Sequence, residues 1–114
     1  MADGEAVVTR LWEALNGQDL EAASALLHPD VDWQDIMNGG RQRGRDTVLA
    51  YWREVFDVLR PDSTVMEFLP QDDGRLSART LHHVRDPDGR LRVEEVITHL
   101  FGFKDGMIVS MDVA

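Results

Sequence analysis

Three glycine-bearing turn signals cut the second half of this chain into alternating runs, and that pattern most restricts what it can fold into. Asp72-Asp73-Gly74, Asp86-Pro87-Asp88-Gly89 and Lys104-Asp105-Gly106 each combine Asp with Gly, and these residue types close tight turns cheaply. The runs around them, 64–69, 76–85, 91–103 and 107–113, read as four strands of an antiparallel meander. The first half has a different period. Val8, Leu11, Trp12 and Leu15 recur at helical spacing and share one face, and Asn16-Gly17 ends that helix, with Gly17 expected to take the left-handed capping conformation. A short second helix is expected from Asp19, with Leu20, Ala23 and Leu27 as its stripe and His28-Pro29-Asp30 as its stop. Residues 31–35 alternate and read as a strand, and Asn38-Gly39-Gly40 as a loop. A third helix from about Arg45 carries Val48, Trp52, Val55, Phe56 and Leu59 and is terminated by Pro61. Helices first and then a meander predict an α+β fold rather than βαβ units.

The length of 114 residues suits one domain, read here as 1–114. The net charge of −9 opposes binding to nucleic acid and to anionic membrane surfaces. Apolar runs are too short to span a bilayer, and the opening from Met1 to Glu5 is acidic where a signal peptide is basic. The chain has no cysteine, which excludes disulfides and thiolate metal sites and suits a reducing compartment. A cytoplasmic protein is the expectation.

Several short stretches carry a resemblance: Ala14-Leu15-Asn16, Asp19-Leu20, the run from Pro29 to Trp33, Gly44-Arg45-Asp46 before an aromatic-rich helix, and the run from Phe101 to Met111. In their order and spacing the chain resembles the ketosteroid isomerase and SnoaL-like polyketide cyclase superfamily, of the nuclear transport factor 2-like kind. The resemblance spans nearly the whole chain. It implies a cone-shaped, curved antiparallel sheet wrapped around three N-terminal helices, with an apolar pocket at its open end. The superfamily hosts isomerases, cyclases, hydrolases and non-enzymatic binding modules, so it does not fix a reaction.

The resemblance places Asp35 where ketosteroid isomerases carry the carboxylate base, on the strand face of Trp33. The bland reading of Asp35 is a solvated residue that opens the next loop. His99 matches the position of a protonated acid that binds the enolate oxygen, and a one-residue shift would put Thr98 there instead. An imidazole at that point would be a donor or an acid–base group, or else a core histidine bonded to a neighbour. The family's oxyanion tyrosine is matched here by Leu11, flanked by Trp12, and Trp52 stands where an aromatic supports that tyrosine. Leucine cannot donate a hydrogen bond, which argues against steroid isomerase activity itself.

Strand alternation sends His82 inward with Ala78, Thr80 and Val84, and His83 outward with Ser77, Arg79 and Arg85. Glu95, Ile97, His99, Phe101 and Phe103 share a face, and Glu94 and Glu95 split between the two sides. His82, His99, Asp35 and Glu95 are thus expected to converge. A metal-free acid–base cluster is the reading, since no compact ligand motif marks a metal site, and no cofactor is implied. The expected pocket wall is Leu11, Trp12, Leu15, Trp33, Trp52, Phe56, Ile97 and Phe101. His28 reads as a surface residue at a helix end. Arg41, Arg43 and Arg45 read as a solvated loop or an anion gate over the pocket. Leu81, His83, Arg79, Val96 and Leu100 on the outer sheet face invite pairing with a second copy, hence a homodimer.

Three functions compete on these residues. One is acid–base chemistry of the isomerase or cyclase type on a small hydrophobic carbonyl compound, with Asp35 as base and His99 and His82 as donors. Another is a non-catalytic ligand-binding or assembly module. The third is an epoxide-opening hydrolase, which needs an Asp–Arg–Asp arrangement and therefore Arg79 turned inward.

Overall fold

A computed structural model describes residues 4–114. Met1, Ala2 and Asp3, the start of the acidic opening, lie outside the described residues. The elements run α1 (Gly4–Asn16), α2 (Leu20–Ala25), β1 (Leu27–Gln34), β2 (Arg41–Arg43), α3 (Arg45–Val58), β3 (Arg60–Pro70), β4 (Leu76–Arg85), β5 (Leu91–Lys104) and β6 (Met107–Val113). The architecture is α+β: the three helices pack on a curled six-stranded sheet of order β2-β1-β6-β5-β4-β3.

The stripe of α1 behaves as its spacing predicts, with Val8, Leu11, Trp12 and Leu15 all buried. Its end differs in detail. Gln18, not Gly17, takes the positive φ, at 56°, and Asp19 then caps α2 by accepting a hydrogen bond from the Ala22 N–H at 3.0 Å. Leu27 does not extend α2. It starts β1, fully buried, and pairs with Ile108 of β6. His28-Pro29-Asp30 is therefore strand, not a helix stop. Pro29 is tolerated because the ladder is irregular between Leu27 and Asp32, where β1 carries extra residues against β6.

The β1–β6 pair is parallel, so the sheet is mixed and not wholly antiparallel. The meander β3-β4-β5-β6 is antiparallel throughout, as its turns demand. Pro61 does end the helical path, but strand begins at once, so β3 starts at Arg60 rather than near Thr64.

The arginine segment is neither a solvated loop nor a gate. Arg41 to Arg43 form β2, paired antiparallel to β1. The Arg41 guanidinium bridges Asp32 and Asp112 and reaches the Met111 carbonyl at 3.2 Å, so it ties β1 to β6. The carboxylates facing it raise its pKa further.

On the opposite edge, Asn16 holds α1 against β3. Its Oδ1 accepts from Ser63 N–H at 2.9 Å and its Nδ2 donates to the Ser63 carbonyl at 2.8 Å, copying the pairing of a neighbouring strand. Ser63 is buried, so removing this partner strands a backbone donor away from water. Asn16→Ala is expected to cost about 1–3 kcal/mol in urea unfolding. A loss below about 0.5 kcal/mol would mean that the clamp carries no stability.

Candidate functional site

The curled sheet and the helices enclose a cavity of about 370 Å³. Its walls come from α1 (Trp12, Leu15, Asn16), β1 and the turn after it (Trp33, Ile36, Met37) and α3 (Tyr51, Trp52, Val55, Phe56), with the sheet supplying Ser63, His82, Val84, Glu95, Ile97 and His99. The closed end is marked by fully buried His99 and the neighbouring Trp12. The mouth is marked by exposed Ile36, Met37 and Val93, with Arg92 and Glu95 beside them.

Most of the expected wall is present. Trp12, Leu15, Trp33, Trp52, Phe56 and Ile97 line the cavity. Leu11 and Phe101 do not. Both are fully buried in the core behind it, Phe101 with its ring against Trp12 and Trp33. The register pairs His82 with Glu95 and Ala78 with His99, so both imidazoles face inward. Their ring centroids lie 5.4 Å apart. His83 faces the other side and bonds Glu94 at 2.9 Å.

Asp35 departs from expectation. It is 2% exposed and is not part of the cavity wall. Its carboxylate accepts from Asn38 N–H at 2.8 Å, Gln42 Nε2 at 3.0 Å and Asn38 Nδ2 at 3.3 Å, and also from Tyr51. Burial alone would raise this carboxyl, but the four hydrogen bonds outweigh it and hold the pKa below the usual value. Such a group fastens the turn between β1 and β2 and is a poor proton acceptor. Burial and then the Asp35 charge raise the Tyr51 phenol, which keeps it protonated as the donor to that carboxylate. His28 is also misplaced by sequence reasoning. It is buried within β1, where Nδ1 accepts from Asp30 N–H at 3.0 Å.

His82 is half-buried, with Ser63 Oγ 3.2 Å from Nδ1. Burial lowers its pKa, partly offset by the charges of Glu95 and Asp62, and it is neutral at pH 7. His99 is lowered further, to about 3, by burial and then by His82. Among the described residues, no group of three or more His, Cys, Asp or Glu is placed to hold a metal ion. No helix among them is long and apolar enough to cross a membrane.

Tyr51, Ser63, Arg92 and Met37 were missed as wall residues. Ser63 was findable, because it stands opposite His82 once β3 and β4 are in register. Met37 and Arg92 carry no such signal, since a loop and a strand end set their position.

The model of the SnoaL-like domain matches residues 8–111. The chain belongs to that family. Solved structures of similar shape agree. An NTF2-like protein of unknown function from Burkholderia pseudomallei is 26% identical, with a TM-score of 0.83, over 100% of this chain and 91% of that one. A candidate polyketide cyclase from Xanthomonas campestris is 23% identical, with a TM-score of 0.81, over 96% and 87% of the two chains. An epoxide hydrolase from Mycobacterium tuberculosis is 18% identical, with a TM-score of 0.78, over 92% and 76%. No curated protein sequence matches the chain. The latter two likenesses speak for the fold alone.

The arrangement of inward groups makes stability depend on pH. Both inward histidines have native pKa values below the unfolded value of 6.5. As pH falls below about 6.5 the unfolded chain takes up protons that the native site refuses, so stability drops. His99 alone is expected to cost about 2 kcal/mol between pH 7 and pH 5, above the range where most carboxylates titrate. Urea midpoints across that range check it, and His99→Gln should flatten the slope. An equal slope in the variant would place the sensitivity elsewhere.

Proposed function

We propose that this SnoaL-like protein binds a small, mostly apolar carbonyl compound and moves a proton on it, with His82 as the general base. The supporting observation is the pairing of a mainly apolar cavity with an inward imidazole that is neutral at pH 7 and half open to the cavity. Asp35, the base suggested by the resemblance, has its oxygens occupied and lies off the wall. Glu95 stands opposite His82 in the sheet and would stabilise the imidazolium once the proton has transferred. Ser63 Oγ orients the ring. A reaction of isomerase or cyclase type follows from proton transfer beside a carbonyl.

A binding module without turnover is the second reading. It is favoured by Leu11, which sits in the core and leaves α1 without a phenolic donor. The epoxide-opening reading loses its arginine: Arg79 is exposed on the outer face. The arginine that does reach the cavity, Arg92, lies at the mouth within 3.9 Å of Asp86. On the outer face Leu81 stands opposite Val96, which is 47% exposed, and we keep a second copy of the chain as its occupant.

Deuterium uptake at the α-carbon of a panel of small cyclic ketones in D₂O tests the base. The His82→Gln variant should lose on the order of 100-fold or more in the exchange rate, while a folded Asp35→Asn variant should stay within a few-fold of the parent. The rate should rise with pH through a value below 6.5 and then level off, because the base works deprotonated. Exchange that survives His82→Gln would remove the assignment. No exchange on any ketone would leave the binding module.

A further inference from the structure

Two buried polar atoms at the closed end of the cavity, Trp12 Nε1 and His99 Nε2, have no protein partner among the described residues. Their residues are 6% and 0% exposed, both line the cavity, and their ring centroids are 5.2 Å apart. A polar atom left unpaired in such surroundings is costly, so two orphans on adjacent rings that both line one cavity point to a ligand group that satisfies both.

Hydrogen-bond bookkeeping on the far side of the imidazole points to the kind of group that fits. The Thr80 hydroxyl lies 3.3 Å from the Ala78 carbonyl, which can only accept, so Thr80 donates to it. Thr80 Oγ1 has one hydrogen and is then an acceptor toward His99 Nδ1, 3.3 Å away. With Thr80 as that acceptor, Nδ1 carries the proton and Nε2 of the neutral ring is left as an acceptor with no protein partner among the described residues. The indole N–H of Trp12 can only donate. The closed end thus offers one donor and one acceptor. A bare carbonyl or an oxyanion would meet the Nε2 lone pair with a lone pair of its own. A hydroxyl accepts from the indole and donates to the imidazole.

We propose that the closed end of the cavity is a hydroxyl-recognition site formed by Trp12 Nε1 and His99 Nε2, and that the ligand is an otherwise apolar compound carrying a phenolic, enolic or alcoholic OH at its buried end. This revises His99 from oxyanion donor to acceptor. The site rests on the small-molecule reading above but not on His82 as a base. An apolar wall with one donor–acceptor pair selects strongly, because a ligand lacking the OH leaves both orphans unpaired.

Isothermal titration at pH 7.5 with 2-naphthol, 2-methoxynaphthalene and naphthalene tests this. The naphthol should bind at least about tenfold more tightly than either relative, since the ether can accept but not donate. In Trp12→Phe the preference should fall to within about twofold. Should that variant not fold, NMR of the parent protein decides. Ring ¹⁵N shifts should show His99 as the Nδ1–H tautomer, and the Trp12 indole N–H and His99 Nε2 should shift with naphthol and not with naphthalene. Equal affinities for the three compounds, binding by none of them, or an Nε2–H tautomer would overturn the proposal. The two readings fail separately in the parent protein: a naphthol preference without α-deuterium exchange on any ketone keeps the hydroxyl site and removes the base, and exchange with equal affinities for the three compounds does the reverse.

Discussion

The packing of the Trp12 ring is the constraint on which the site depends. It meets Trp33 at 6.4 Å, His82 at 5.7 Å, His99 at 5.2 Å and Phe101 at 6.3 Å between ring centroids, mostly edge to face. Trp33 in turn stands edge-on to Trp52 at 5.0 Å. Through these contacts α1, β1, α3, β4 and β5 meet at one point, and aromatic pairs of this kind each add about 0.5–1.5 kcal/mol beyond area burial. The same cluster closes one end of the cavity and removes water from His99. Packing and chemistry are therefore not separable here, because the rings that hold the elements together also set the protonation of the imidazole.

Burial at that end decides the chemistry available. A desolvated imidazole beside another imidazole stays neutral, and a neutral imidazole has one donor and one acceptor whose order is set by its neighbours. For His99 that neighbour is the Thr80 hydroxyl, 3.3 Å from Nδ1. His82, nearer the mouth and facing Glu95, is less deeply buried and keeps more of its basicity. The two imidazoles share a sheet surface but differ in surroundings: His99 is fully buried and His82 half-buried. Asp35 shows the opposite treatment of a buried ionisable group. It is charged, saturated by donors and spent on holding a turn.

Turn chemistry and alternation carried the sheet. The bounds of β4 and β6, the inward His82 and the outward His83 followed from Gly-bearing turns and the period of two. The helical stripe of α1 followed from its spacing, whereas α3 buries Val48 and Trp52 as expected but also Leu49 and Tyr51, and Leu59 lies past its end in extended backbone. The family was legible too, because order and spacing of elements are one-dimensional properties. Local rules failed where a long-range partner overrode them. Leu27 fits the stripe of α2 but is taken by β6, and Pro29 breaks a helix yet sits in a strand at a ladder irregularity. Arg41 reads as a surface charge until Asp112, distant in sequence, supplies its partner.

The sequence by itself determined the α+β class, the meander, the aromatic wall and the two inward histidines, because periodicity and turn residues act over a few positions and need no partner. Only the tertiary structure decided which polar groups stay free. Asp35 is withdrawn from the cavity by donors from Asn38, Gln42 and Tyr51, and Leu11 and Phe101 are drawn into the core. The tautomer of His99 depends on Thr80 across the strand pair. Hydrogen-bond satisfaction and desolvation are properties of a three-dimensional neighbourhood, and no local run of residues encodes them.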